Sequence, residues 1–118
     1  LTVGSSLQYS IEEREAVRAV HMTGSLTGAN RSVFEALVED ITSKGNCIVN
    51  LSSVSMVSTS GIAALGEVSL NARKKGKRVM LMGANPSMIR TIEQLDMYDH
   101  FIFVDSVEEG LLKSRYYT

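Results

Sequence analysis

Cys47-Ile48-Val49-Asn50-Leu51 is a near-continuous apolar run, and it leads through Ser52-Ser53-Val54-Ser55-Met56-Val57 into Ser58-Thr59-Ser60-Gly61-Ile62. The run predicts a strand buried on both faces, as strands of a parallel sheet are. The hydroxyl-rich stretch after it predicts a loop, and Ile62 opens a helical pattern. Ser58, Thr59 and Ser60 then fall where the first N–H groups of a helix have no intrahelical partner. One of them must cap the helix, since Ser and Thr are good N-caps. The same position welcomes negative charge, and a phosphate above all. No general base stands nearby in sequence, so the pattern reads as a target of phosphorylation rather than a catalyst. Gly61 is a poor residue within a helix. At a first turn it lets a partner or a phosphate approach the backbone.

Working outward, Leu7 to Ile11 and Ala16 to Met22 alternate as strands do, with Glu12-Glu13-Arg14-Glu15 as a polar turn between them. Thr23-Gly24-Ser25-Leu26-Thr27-Gly28 reads as loop. Phe34, Val38 and Ile41 recur at helical spacing, with Val33 and Leu37 beside them, and Asn30 or Ser32 is placed to cap that helix. Lys44-Gly45 closes it. Ile62, Leu65, Ser69 and Ala72 form the inner stripe of a second helix. Val79 to Met82 is another buried strand, and Pro86 suits the first turn of a third helix carrying Met88, Ile89, Ile92 and Leu95. Phe101 to Val104 is a short last strand. Ser106-Val107-Glu108-Glu109 is a capping box opening a fourth helix, with Leu111 and Leu112 turned inward. Strands alternating with helices imply an α/β fold: a mixed, mostly parallel sheet of about five strands with about four helices. The 118 residues fit a single domain spanning 1–118.

Composition excludes several functions. A net charge of −1 argues against direct nucleic-acid binding. The one dense basic cluster, Arg73-Lys74-Lys75-Gly76-Lys77-Arg78, reads as cations at a helix C-terminus followed by a Gly turn. Cys47 is the only cysteine, so it makes no internal disulfide, has no second thiol for a metal site and reads as a small core residue. No apolar run approaches the ~18 residues of a membrane span. No secretory signal opens the chain as written, and the expected location is cytoplasmic. His21 and His100 have no metal-like spacing and read as structural, and Asp96, Asp99 and Asp105 do not cluster as metal ligands. No cofactor motif, metal set or nucleophile with a placed base is found, which speaks against an enzyme. Met56 is either an exposed apolar contact for a partner or packs on the second helix.

The stretch Ile48 to Ile62 resembles the STAS domain of the anti-sigma-factor antagonists, whose members carry an apolar strand ending in Asp-Leu or Asn-Leu, a short loop, then Asp-Ser-Ser-Gly or Asp-Ser-Ala-Gly. Thr23-Gly24-Ser25-Leu26-Thr27 matches the family's Gly-Glu-Leu-Asp type of sequence, and Gly76-Lys77-Arg78-Val79-Met80-Leu81 running on to Asn85-Pro86 is a third match. The resemblance covers about Val20 to Val107. It implies a non-enzymatic switch that binds an anti-sigma factor acting also as a serine kinase. Phosphorylation then releases the complex, and a PP2C-type phosphatase resets it. Counting back from Gly61, the phosphorylated position falls on Thr59, with Ser58 and Ser60 as the neighbouring candidates. The implied contact surface comprises Ser25, Thr27, Ser55, Met56, Ser58, Thr59, Ser60 and Gly61, with the exposed face of the second helix. The free form is expected to be a monomer, with no membrane partner. Two positions depart from the family: Ser58 stands for the usual Asp, and Thr27 for the usual acidic residue. Both changes make the loop less negative. The alternative role is an unphosphorylated STAS scaffold or ligand-binding subunit of a transport or signalling complex.

Overall fold

A computed structural model describes residues 2–3 and 7–116. Among the described residues, six strands form one sheet in the order of the sequence: β1 (Thr2–Val3), β2 (Leu7–Arg14), β3 (Val17–Leu26), β4 (Asn46–Val57), β5 (Val79–Met82) and β6 (Ile102–Val104). The first three pair antiparallel, and β3 to β6 pair parallel. Four helices accompany them: α1 (Arg31–Thr42), α2 (Thr59–Lys74), α3 (Pro86–Gln94) and α4 (Val107–Ser114), with a 3₁₀ turn at Tyr98–His100. This is the expected mixed α/β sheet, extended at one edge by the two-residue β1.

The connectivity explains the layers. Each parallel crossover steps the same way across the sheet, and such crossovers are right-handed. The three crossover helices must then lie on one face. Phe34 and Val38 of α1, Leu65 and Val68 of α2, and Met88 and Ile92 of α3 indeed share one core with Val20, Val49 and Leu81. The helix α4 follows the last strand, is free of that rule, and covers the opposite face. There Val107 packs with Val17, Ala19, Ile48, Met80 and Val104. Between the two layers, Cys47, Ile48, Val49 and Leu51 are essentially inaccessible, as their near-continuous apolar run implies. On α2, all four residues of the inner stripe, Ile62, Leu65, Ser69 and Ala72, are buried.

Several boundaries differ from the sequence reading. Glu12 to Arg14 belong to β2, and the hairpin turns instead at Glu15-Ala16, with Glu15 at φ 55°. Cross-strand polar pairs run along this segment: Glu13 pairs with Arg18 at 2.8 Å, and His21 hydrogen-bonds Glu12 at 2.9 Å. Residues 23–26, read as loop, continue β3, and residues 52–57 continue β4. The two segments pair with each other, Thr23 opposite Ser53, Gly24 opposite Val54, Ser25 opposite Met56 and Leu26 opposite Val57. Leu112 is 57 % exposed rather than inward, whereas Leu111 packs against the α4 core. Leu95 is exposed beyond the end of α3.

Candidate functional site: the β4–α2 junction

The register of β3 and β4 slips twice, between His21 and Thr23 and between Gly24 and Ser25. At each slip β4 carries one residue more than β3, as a bulge does. The inward positions of β4 are therefore Val49, Leu51 and Val54 rather than a strict alternation. This hides the strand from a period-two reading of Ser52 to Val57. The hydroxyls point outward. Ser55 Oγ donates to the Gly24 carbonyl at 3.1 Å and lies 3.4 Å from Ser25 Oγ. Met56 is 49 % exposed, so its side chain faces outward rather than packing away on α2.

At the end of β4 the chain turns into α2 in one residue. Ser58 N donates to the Leu26 carbonyl at 3.0 Å, and the Ser58 carbonyl accepts from Ile62 N at 2.8 Å. Ser58 has extended backbone angles and is the N-cap, its Oγ accepting from Gly61 N at 3.1 Å. Its hydroxyl thus satisfies one of the orphan donors. Thr59 occupies the first helical position and is exposed; Ser60 follows, partly covered. No acidic side chain stands in this first turn, and residues 24–30 and 52–61 contain no carboxylate. The N-terminal end of a sixteen-residue helix is therefore left without a countercharge from these segments. Gly61 is buried, and a Cβ there would come within 2.5 Å of the Leu26 carbonyl oxygen and 2.8 Å of Val57 Cγ1. Its lack of a side chain lets α2 start against the end of β3.

The facing segment is held by a residue the sequence reading cast as a helix cap. Asn30 is wholly buried; its Oδ1 accepts from Thr27 N at 3.0 Å and its Nδ2 donates to the Ser25 carbonyl at 3.0 Å. It occupies the N-cap position of α1 but makes no side-chain cap bond there. Thr27 Oγ1 in turn accepts from Ala29 N at 3.2 Å. A Cβ on Gly28 would lie 3.4 Å from Ser60 Oγ, so the two segments are in contact. Ser25, Thr27, Ser55, Met56, Ser58, Thr59 and Ser60 are gathered on one end of the sheet, with Gly61 beneath them.

A family model described as the STAS domain matches residues 8–110. This chain belongs to the STAS domain family. Solved structures share the fold at low identity. An anti-sigma factor antagonist from Mycobacterium paratuberculosis is 17 % identical, with a TM-score of 0.80 over 98 % of this chain and 99 % of that one. The phosphorylated form of the Bacillus cell fate determinant SpoIIAA is 14 % identical, with a TM-score of 0.68 over 90 % and 98 %. The murine anion transporter Slc26a9 is 22 % identical over 89 % of this chain but 18 % of its own length, with a TM-score of 0.73.

Away from the junction, this STAS domain carries a polar chain on the sheet face that α4 leaves open. Asn50 Oδ1 accepts from Ser52 N at 3.0 Å, and the Ser52 hydroxyl also donates to it. That fixes the amide, so Asn50 Nδ2 donates to His21 Nδ1 at 2.8 Å. His21 Nε2–H is then the donor to Glu12. Arg14 reaches the other Glu12 oxygen at 3.2 Å. The hydrogen bonds from His21 and Arg14 hold the Glu12 carboxyl below its ordinary value of 4.5. Sequence spacing gave no hint of this set, because its members come from three strands. Cys47 is the opposite case: complete burial pushes its thiol up to about 12. Among the described residues, no three His, Cys, Asp or Glu side chains group as a metal site, and no helix is long and apolar enough to cross a membrane.

Proposed function

We propose that this STAS domain is an anti-sigma-factor antagonist that works as a non-enzymatic switch in the cytoplasm. It binds an anti-sigma factor that is also a serine kinase, and phosphorylation of the β4–α2 junction ends the complex. A PP2C-type phosphatase restores the binding form, and the free protein is a monomer. The observation that carries this reading is Thr59, an exposed hydroxyl at the first position of α2 beside the half-exposed Met56. Its neighbour Ser58 already uses its oxygen as the cap, so Thr59 is the preferred acceptor, with Ser58 and Ser60 behind it. Ser25, Thr27 and Ser55 extend the contact surface along the paired ends of β3 and β4.

A phosphate on Thr59 adds ~1.5 to 2 negative charges at pH 7. The fold tolerates it, because helix N–H groups and the dipole favour an anion at that end. The complex does not, because a partner packed there must desolvate the charge. The test mixes the purified chain with the cognate kinase and ATP, maps the phosphate by mass spectrometry and measures partner affinity. Thr59→Ala should bind and resist the kinase. Thr59→Glu should bind more weakly, with little change in melting temperature. Phosphate found only outside residues 58–60, or equal affinity for Thr59→Glu and wild type, would defeat this reading.

A second reading is a scaffold or ligand-binding subunit of a transport or signalling complex that needs no phosphate cycle. Ser58 and Thr27, which replace the family's usual acidic residues, favour it. Its mark would be a stable complex unaffected by Thr59→Glu.

A further inference from the structure

The cluster from Arg73 to Arg78 does more than complement a helix dipole. Lys75 turns back to α1, its Nζ donating to the Glu39 carbonyl at 3.2 Å and to Thr42 Oγ1 at 3.1 Å. The two arginines turn the other way. Both line a polar cavity of about 290 Å³ between the C-terminal half of α2, the 3₁₀ turn and the start of β6, which His100 and Ser69 also line. Arg73 and His100 are shared with a second cavity of about 280 Å³, whose wall is apolar: Ala63, Gly66, Leu70 and Met97. Shared walls make the two cavities one groove, apolar at one end and cationic at the other.

The groove is built from fixed parts. Ser69 Oγ donates to the His100 carbonyl at 3.1 Å and ties the 3₁₀ turn to α2. Gly66 makes room for the Met97 methyl, which a Cβ there would overlap. Leu70 is 48 % exposed at the rim. Arg78 is half-buried, with its guanidinium donating to the Lys77 carbonyl at 2.9 Å, while Arg73 is exposed and has no ion pair among the described residues. Among the described residues, Asp99 is the one carboxylate lining the polar end, beside two guanidinium groups, and Glu67 borders the apolar end. The polar end thus offers the guanidinium of Arg73 without an ion pair beside that of Arg78, in the planar forked geometry that suits carboxylate or phosphate. An apolar wall beside a few convergent polar groups is the usual make-up of a small-molecule site.

We propose that this groove binds a small organic anion, its carboxylate or phosphate head on Arg73 and Arg78 and its apolar body over Gly66, Leu70 and Met97. Arg73 lies ~21 Å along α2 from Thr59, and the occupant of the site is independent of the phosphorylation reading. The test titrates ¹⁵N-labelled protein with octanoate, octyl phosphate, octylammonium and octanol, each below its micelle-forming concentration. Either anion should shift amides of residues 63–78 and 97–102 saturably, and the tighter of the two names the head group. Octylammonium and octanol should bind at least about tenfold more weakly, and Arg73→Ala should cost the anion a similar factor. Arg73 is exposed, so that variant keeps its fold even if an Arg78 variant does not. Equal binding of octanol and the anions, unchanged affinity in Arg73→Ala, or no saturable shift in the groove with either anion would each overturn the proposal.

Discussion

Gly61 shows how a single missing side chain sets the geometry of the junction. A Cβ there would meet a backbone carbonyl at 2.5 Å, and a carbonyl held in a strand pair cannot swing away as a side chain tip can. Gly61→Ala should therefore destabilise the domain by about 1–3 kcal/mol even though Ala is the better helix former, and urea denaturation measures it. Ser58→Ala removes the cap bond to Gly61 N and should cost about 1 kcal/mol. Those losses differ in origin, so the two variants should differ at the junction: Gly61→Ala shifts α2 away from Leu26, and Ser58→Ala frays only its first turn. Amide exchange of residues 61–63 distinguishes them. Cys47 offers a third check on the same scale. A fully buried thiol with its pKa near 12 is scarcely ionised at neutral pH. Thiol reagents should leave it unmodified in the native state and label it only at the rate at which the domain opens in urea.

At the scale of elements, the paired ends of β3 and β4 present the hydroxyls and Met56 as one surface. Asn30 holds the far side of that surface to α1 through two partly buried hydrogen bonds. Asn30→Ala leaves the Thr27 N–H and the Ser25 carbonyl without these partners. It should cost about 2 kcal/mol, seen as a lower urea midpoint together with faster exchange of the Thr27 amide. If the switch reading holds, the variant should also bind its partner more weakly, because Ser25 and Thr27 lose their fixed positions. A drop in stability with the Thr27 amide still protected would mean that Asn30 supports α1 rather than this surface.

On the scale of the whole molecule, Glu12, His21 and Asn50 link β2, β3 and β4 across the sheet face that α4 leaves uncovered. Glu12 titrates below its ordinary value in the folded state. A carboxyl of that kind adds stability at pH above 4.5, and the contribution is lost as pH falls through the depressed folded value. Glu12→Gln should be less stable than wild type above that pH, and the gap should close as the solution is acidified. Urea midpoints measured across the acid range test it. A constant gap at every pH would show that Glu12 acts by packing rather than charge.

The sequence by itself determined the elements whose signals are local. A near-continuous apolar run marked Cys47–Leu51 as a strand buried on both faces, and Val79–Met82 read as another buried strand. The helical stripe from Ile62 to Ala72, Pro86 at a helix start and the Ser106 capping box marked the helices, and the Ser-Thr-Ser-Gly run marked the start of α2. Each depends on residues within a few positions of one another. Only the tertiary structure decided the rest. Ser52 to Val57 look like loop because two bulges break their alternation, and they become a strand only when residues 23–26 lie alongside. The same pairing leaves Met56 facing solvent and brings Ser25 and Thr27 to the N-terminal end of α2. Asn30 reads as a cap until its amide meets backbone groups of its own loop, and Glu12, His21 and Asn50 meet only across strands. The groove needs Arg73, Arg78, Met97 and His100 from three separate segments. Hydrogen bonds and cavities between distant residues leave no period in a sequence, because the distance that matters to them is in space.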